Sequence, residues 1–162
     1  MIDLDAQASL TFSFITPDDW QTNYADNKTI KNWFDSFEIG SHLPLADIIF
    51  TPERTALVLR GRQGALDLIA SHLGLINVDL ELATKLGGAN LTQAKRNFLA
   101  VHSMLVAGLD EIDGDAYDLV LIDCPPNFNI VTKTAIIASD YILVPARPDY
   151  LSTLGSRLIQ IQ

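Results

Sequence analysis

Apolar and polar positions change period several times along this chain, and each change predicts an element. Tyr117-Asp118-Leu119-Val120-Leu121-Ile122-Asp123 carries four unbroken apolar residues, which predict a strand buried on both faces and hence a parallel sheet. Pro125-Pro126 stops it, a helix is predicted from Ile130 to Ala138, and Tyr141 to Val144 reads as the next strand before Pro145. Leu91, Phe98, Val101, Leu105, Leu109 and Ile112 recur at helical steps and predict one long helix with a single apolar stripe. Ala56 to Leu59 and Leu66 to Ala70, bounded by Gly61, Gly64 and Gly74, read as two strands, and Val78 to Leu86 as a helix closed by Gly87-Gly88.

The first third is more broken. Met1-Ile2-Asp3-Leu4-Asp5 alternates like the end of a strand, Thr11 to Phe14 continues apolar, and Thr16-Pro17-Asp18-Asp19 punctuates. Asp26-Asn27 can cap a helix from Lys28 to Phe37, Leu45 to Phe50 reads as a helical turn or two, and Leu151 to Ile161 begins a further helix. Alternating strands and helices predict an α/β layered fold with a mostly parallel central sheet, organised as one domain over 1–162.

Composition narrows the partners. The 162 residues carry a formal charge of −9, which argues against a nucleic-acid surface spread over this stretch, because phosphate binding needs clustered Lys and Arg. A single cysteine, Cys124, fits a reducing compartment, with the cytoplasm the default. No window resembles a membrane span or an export signal.

In α/β folds ligands gather at the carboxyl ends of strands, and two acidic features are predicted there. Asp3 and Asp5 lie two apart and project to one side of an extended strand, and Asp123 ends the buried strand. A carboxylate there costs several kcal/mol unless donors or a cation meet it, and a hydrated magnesium ion is a suitable partner. The plainer reading of each, as a helix cap or solvated turn, is more common for any one of them alone.

Three stretches carry a family resemblance. Ile2 to Phe14 (IDLDAQASLTFSF) resembles the segment after the second strand of ParA/Soj-type partitioning ATPases, members of the deviant Walker P-loop group that includes MinD. Tyr117 to Gly155 resembles that family's Walker B strand, its paired prolines and the next strand; Leu66 to Thr84 is similar to the segment between. The resemblance implies a three-layer P-loop NTPase-like fold and an ATPase using ATP and Mg2+. It further implies plasmid or chromosome partitioning through an ATP-dependent homodimer, with a ParB-type centromere-binding protein and nonspecific DNA as partners, in a bacterial cytoplasm at the nucleoid and without a membrane. Residue by residue, Asp123 matches the Walker B aspartate that holds magnesium through water, Asp3 its neighbour in the metal shell, and Asp5 the residue that positions the attacking water. Arg147 and Pro148 fall where the family lines the nucleotide.

The sequence also departs from the family. No GxxxxGK[ST] occurs in it, so the lysine loop that cradles phosphates is missing and both ends look cut. The expectation is a chain inactive alone, with no tight ATP or Mg2+ binding. Ala6 stands where the family usually has proline, which leaves the turn after Asp5 freer. Two alternatives stand beside this reading. One is a non-catalytic interaction module or degenerate relative. The other is a haloacid dehalogenase-type phosphatase with Asp3 as nucleophile and Asp5 as acid/base, although Ala6-Gln7 replaces the Gly-Thr usual there. His42, His72 and His102 lack metal-ligand spacing, and Cys124 has no partner set that would make it a nucleophile.

Overall fold

The computed structural model describes residues 1–37 and 40–145. Its centre is a short parallel sheet. Strand β1 (Ile2–Asp3) pairs in parallel with β2 (Ile122–Asp123), in the register Ile2 to Ile122 and Asp3 to Asp123. On the other side of β1, Ile69 donates to Met1 O (2.9 Å) and accepts from Asp3 N (3.2 Å), so 67–70 forms a third, parallel rung. Phe50 and Leu68 then exchange two antiparallel bonds (2.8 and 3.1 Å), and Ile30 N donates to Ala70 O (2.9 Å), which closes that edge.

Eight helices surround the sheet among the described residues. They are α1 (Ser9–Phe14), α2 (Pro17–Asn23), α3 (Ile30–Ser36), α4 (Glu53–Leu59), α5 (Leu75–Lys85), α6 (Leu91–His102), α7 (Met104–Asp110) and α8 (Ile130–Ile137), with a 3-10 turn at Leu45–Ile48. The core joins Ile2 and Leu4 of the sheet to Trp33 and Phe34 of α3, Val78 and Leu82 of α5, Leu105 of α7, and Val131 and Ala135 of α8. Burying each such side chain contributes about 1.5–3 kcal/mol, so these contacts, rather than the two-residue strands, hold the layers together.

Several elements differ from the sequence reading, each for a local reason. Thr16, read as punctuation, accepts from Asp19 N (3.2 Å) and so caps α2, with Pro17 at the first helical position. The cap of α3 is Thr29 rather than Asp26-Asn27, because Asn32 accepts from the Thr29 backbone N–H (2.9 Å) in a capping box. Ala56 to Leu59, read as a strand, belongs to α4, whose apolar residues Leu57 and Val58 remain exposed. The predicted long helix is two, divided at Ser103, whose hydroxyl donates to Leu99 O (2.8 Å) and competes with the helical ladder. Gly61 and Gly64 take positive φ (78° and 107°) in the loop that follows α4.

The strand expected to be buried on both faces is covered on one edge only. Leu119, Val120 and Leu121 are 70%, 42% and 48% exposed, and only Ile122–Asp123 is paired as strand. Tyr141 to Val144, also read as a strand, has no ladder partner among the described residues and is exposed throughout. A strand needs a neighbour, and among the described residues none lies between these two segments. The helix expected over Leu151 to Ile161 lies outside the described residues.

Candidate functional site: an acidic cleft at the carboxyl ends of the strands

The pairing of β1 with β2 fixes the site. Leu4 N donates to Asp123 O (2.8 Å), so the chain leaves β1 directly beside the end of β2 and carries Asp5 alongside Asp123. Asp5 Oδ1 accepts from Gln7 N (2.9 Å), and Asp5 O accepts from Ala8 N (2.8 Å); together they wind the loop into a tight turn. That turn ends on Ala8, a buried residue at φ 54°, the left-handed region. The Asx turn and Ala8 thus supply the restraint that a proline at position 6 would have given.

Asp3 and Asp5 play different parts. Asp3 is fully buried beneath the loop. Its Oδ2 accepts from both the backbone N–H and the hydroxyl of Thr11 (2.8 and 2.7 Å), and its Oδ1 from Asp5 N (3.1 Å). The Thr11 hydroxyl accepts in turn from Ser71 N (2.9 Å), and the Ser71 hydroxyl donates to Asp5 O (2.5 Å). Asp3 therefore ties β1, α1 and the 67–71 rung into one network under Asp5. Burial pushes its carboxyl above the ordinary range against the Thr11 and Asp5 donors, and the Asp123 charge adds to the rise. Such a group has no free face with which to attack phosphorus, which removes the phosphatase reading that made Asp3 a nucleophile.

Asp123 is exposed at the mouth of the cleft. Partial desolvation by the neighbouring chain raises its carboxyl first, and the facing charge of Asp5 raises it further. The ion pairs Lys31–Asp35 and His42–Glu111 lie elsewhere. Two like charges at one opening favour a cation or a proton there. No group of three or more His, Cys, Asp or Glu side chains is disposed to hold a metal directly among the described residues. A hydrated magnesium ion asks for only one or two carboxylates, and Asp123 with Asp5 fits that demand better than Asp3 does.

The remaining candidates separate. Cys124, half-buried behind Asp123, has its thiol pushed up to about 11, by burial first and then by Asp123. His42 pairs with Glu111 (3.2 Å), His72 accepts from Gly74 N (2.8 Å), and His102 is buried against Phe98, so the histidines do not converge. Arg147 and Pro148 lie outside the described residues. Sequence reasoning passed over Thr11 and Ser71, because a hydroxyl residue in an apolar segment carries no signal until its partner is seen.

It also passed over Asp79. From α5, its carboxylate accepts from Ile130 N (2.7 Å) and Val131 N (3.4 Å) and, together with Asn129, seals the first turn of α8 behind β2.

A parallel α/β sheet with an acidic cleft at the carboxyl ends of its strands fits the P-loop NTPase class of fold, which the solved neighbours share. The AAA domain family matches residues 1–161, and the chain belongs to that family as a ParA-type P-loop ATPase relative. An uncharacterized protein of Mycobacterium tuberculosis is 23% identical over 159 residues, 98% of this chain and 40% of its own length. A ParA family protein of Chlamydia pneumoniae is 33% identical over 104 residues, 62% of this chain and 39% of its own. Among solved structures, a putative plasmid partition protein of Borrelia burgdorferi bound to AMPPNP superposes at a TM-score of 0.67, with 20% identity, 99% of this chain and 54% of that one. Cobyrinic acid a,c-diamide synthase of Mycobacterium smegmatis, with a bound ATP analog and magnesium, does so at 0.61 and 20% identity, covering 99% of this chain and 52% of that one. These two share the fold. The chain spans about two-fifths to a little over half the length of these proteins.

Proposed function

We propose that this chain carries the metal- and water-handling half of the nucleotide site of a ParA-type partition ATPase. Asp123 holds magnesium through water, Asp5 positions the attacking water, and Asp3 positions Asp5 through its buried hydrogen bonds. One observation carries this reading: the Leu4–Asp123 backbone bond sets Asp5 and Asp123 side by side at the strand ends, close enough for one charge to raise the other. Phosphoryl transfer depends mainly on positioning and charge neutralisation, and two fixed carboxylates beside a hydrated cation serve both. Magnesium, when bound, would neutralise phosphate charge.

The phosphates themselves require a glycine-rich lysine loop, and this sequence has none, so the chain alone binds ATP weakly and does not turn it over. ATP-dependent DNA partitioning with a ParB-type partner, homodimerisation and nucleoid association belong, in this reading, to a polypeptide that also supplies that loop. Among the described residues no helix is long and apolar enough to cross a membrane. The absent loop also favours a second reading, a non-catalytic interaction module.

Paramagnetic Mn2+ separates the two. Titrated into the chain, it is expected to broaden the amide resonances of Leu4 to Ala6 and Asp123 to Cys124, and Asp123→Asn should abolish that broadening. Broadening that ignores the substitution, or none in the millimolar range, would leave the interaction-module reading standing.

A further inference from the structure

We propose that residues 52–66 form a docking arm for an acidic amphipathic helix of a partner protein, one that presents two adjacent apolar residues between carboxylates. The arm has a defined foot. Phe50 and Leu68 exchange two antiparallel backbone bonds, the Thr51 hydroxyl donates to Asp67 Oδ1, and the Tyr117 hydroxyl donates to Asp67 Oδ2 (2.9 Å). The excursion therefore leaves and rejoins the sheet at one point. Asp67 opens the rung that runs parallel to β1, which puts the arm at the amino ends of the strands, away from the acidic cleft.

Beyond that foot the arm stands in solvent. Every residue from Glu53 to Ala65 is exposed except Thr55 and Leu59, which are half-buried. Helix α4 buries none of its seven residues, and Leu57 and Val58 are 61% and 66% exposed. A helix this short is marginal in water and ordinarily owes its stability to an apolar face packed on a neighbour. In α4 that face is Leu57 and Val58, three and four positions after Arg54 and so on the same side of the helix. Just past the helix Arg62 N donates to Leu59 O (2.8 Å), and Gly61 and Gly64 take positive φ with nothing within 4 Å of where a Cβ would lie. These glycines shape the turn rather than relieve crowding, and the turn sets Arg60 and Arg62 beyond the end of α4.

Charge selects the occupant. The stretch 54–66 carries Arg54, Arg60 and Arg62 and no Asp or Glu, in a chain whose formal charge is −9. An arginine meets a carboxylate through two parallel N–H donors, and its weakly hydrated guanidinium suits a contact that also buries apolar side chains. Seven helical residues span about 10 Å, so a partner helix with carboxylates about that far apart, bracketing two apolar residues, matches Arg54, Leu57, Val58 and the Arg60–Arg62 turn. Duplex DNA fits less well, since phosphates would engage the arginines and leave Leu57 and Val58 in water. A second copy offering the same arm would set like charges together.

The test uses the whole chain and a fluorescein-labelled peptide amide, Glu-Glu-Ala-Leu-Leu-Ala-Glu-Glu, beside one form with Lys for every Glu and another with Ala for both Leu. Fluorescence anisotropy at low salt should show the parent peptide binding at least tenfold more tightly than the Lys form and at least threefold more tightly than the Ala form. Its binding should also slow hydrogen exchange at the amides of α4. Arg60→Glu with Arg62→Glu, and separately Val58→Ser, should each weaken the parent peptide at least fivefold; all three positions are exposed, so the core is left intact. Lys95→Glu, an exposed charge reversal on α6, should leave the affinity within twofold. Equal affinity for the three peptides, no binding in the millimolar range, or an equal loss from Lys95→Glu would overturn the proposal. Duplex DNA that displaces the peptide and binds Val58→Ser as well as the parent would overturn it by making the arm a phosphate surface. A dimer in sedimentation velocity that the Arg60/Arg62 variant dissociates would do so by giving the arm to a second copy. Mn2+ broadening at Asp123 can fail while peptide binding succeeds, so this inference and the nucleotide reading fall separately.

Discussion

Thr11 holds one oxygen of Asp3 twice, through its backbone N–H at 2.8 Å and its hydroxyl at 2.7 Å, while the same hydroxyl accepts from Ser71 N at 2.9 Å. One side chain therefore satisfies a buried carboxylate and a buried amide together. Thr11→Val keeps the shape and removes both bonds, leaving Asp3 and the Ser71 amide short of a partner. A loss of about 2–4 kcal/mol is expected from urea denaturation, and Thr11→Ser should recover most of it. A change below about 0.5 kcal/mol for valine would mean that water replaces the hydroxyl.

Asp3 and Asp123 both have carboxyls raised above the ordinary range, Asp3 chiefly by burial and the exposed Asp123 by partial desolvation and the facing Asp5 charge. The folded state then holds these protons more tightly than the unfolded chain does. Their stabilising contribution is complete below the ordinary carboxylate pKa and is lost as pH rises through the raised folded values. Asp123→Asn should therefore melt higher than the parent at neutral pH, with the gap closing toward pH 3. Melting curves across that range check it, and a gap that widens on acidification would contradict the sign.

Gly108 in α7 packs against Trp33. A Cβ built there would lie 2.6 Å from Trp33 Cζ2, and Trp33 is fully buried with Phe37 and Phe34 edge-on to it. Gly108→Ala gains helix propensity yet overpacks, and the clash wins: a loss of about 1–3 kcal/mol is expected, with a shifted Trp fluorescence maximum.

Asp79→Ala leaves the first amides of α8 with Asn129 as their remaining side-chain cap. The cost should be about 1–2 kcal/mol, with faster hydrogen exchange at Ile130 and Val131 but not at the start of α6. Uniform acceleration across all helices would point to a global rather than a local role.

Cys124 should be a slow thiol. With its pKa raised to about 11, against about 8.5 for an unperturbed cysteine, the thiolate fraction at pH 8 falls roughly 100-fold or more. Alkylation by iodoacetamide is expected to be slow by that factor relative to a free peptide thiol and to keep accelerating up to pH 10 and beyond.

The legible parts of this chain were those in which sequence order alone carries the physics. Asp3, Asp5 and Asp123 come together as the strand-end argument requires, the helix predicted over Val78 to Leu86 is α5 a few residues early, and that over Ile130 to Ala138 is α8. Tyr141 to Val144 shows the limit, because apolar alternation marks a segment that suits a strand and cannot say whether a neighbour is present to pair with it. Ala56 to Leu59 failed for the opposite reason: a four-residue apolar run fits helix and strand alike, and the preceding Pro52-Glu53, a helix start, decides it. The separate duty of Asp3 depended on Thr11 and Ser71, 60 residues apart in sequence, and contacts of that span leave no local pattern.

Ala8 draws these points together. It has no chemistry of its own, yet its left-handed backbone ends the turn that aims Asp5, at a φ where a Cβ already costs roughly 1–2 kcal/mol and a β-branched side chain costs more. The aim of a carboxylate is thus set three residues away by a backbone angle. A survey of this protein by reactive groups alone would pass over the position where a β-branched residue, such as valine, would turn the Asp5 carboxylate aside without touching it.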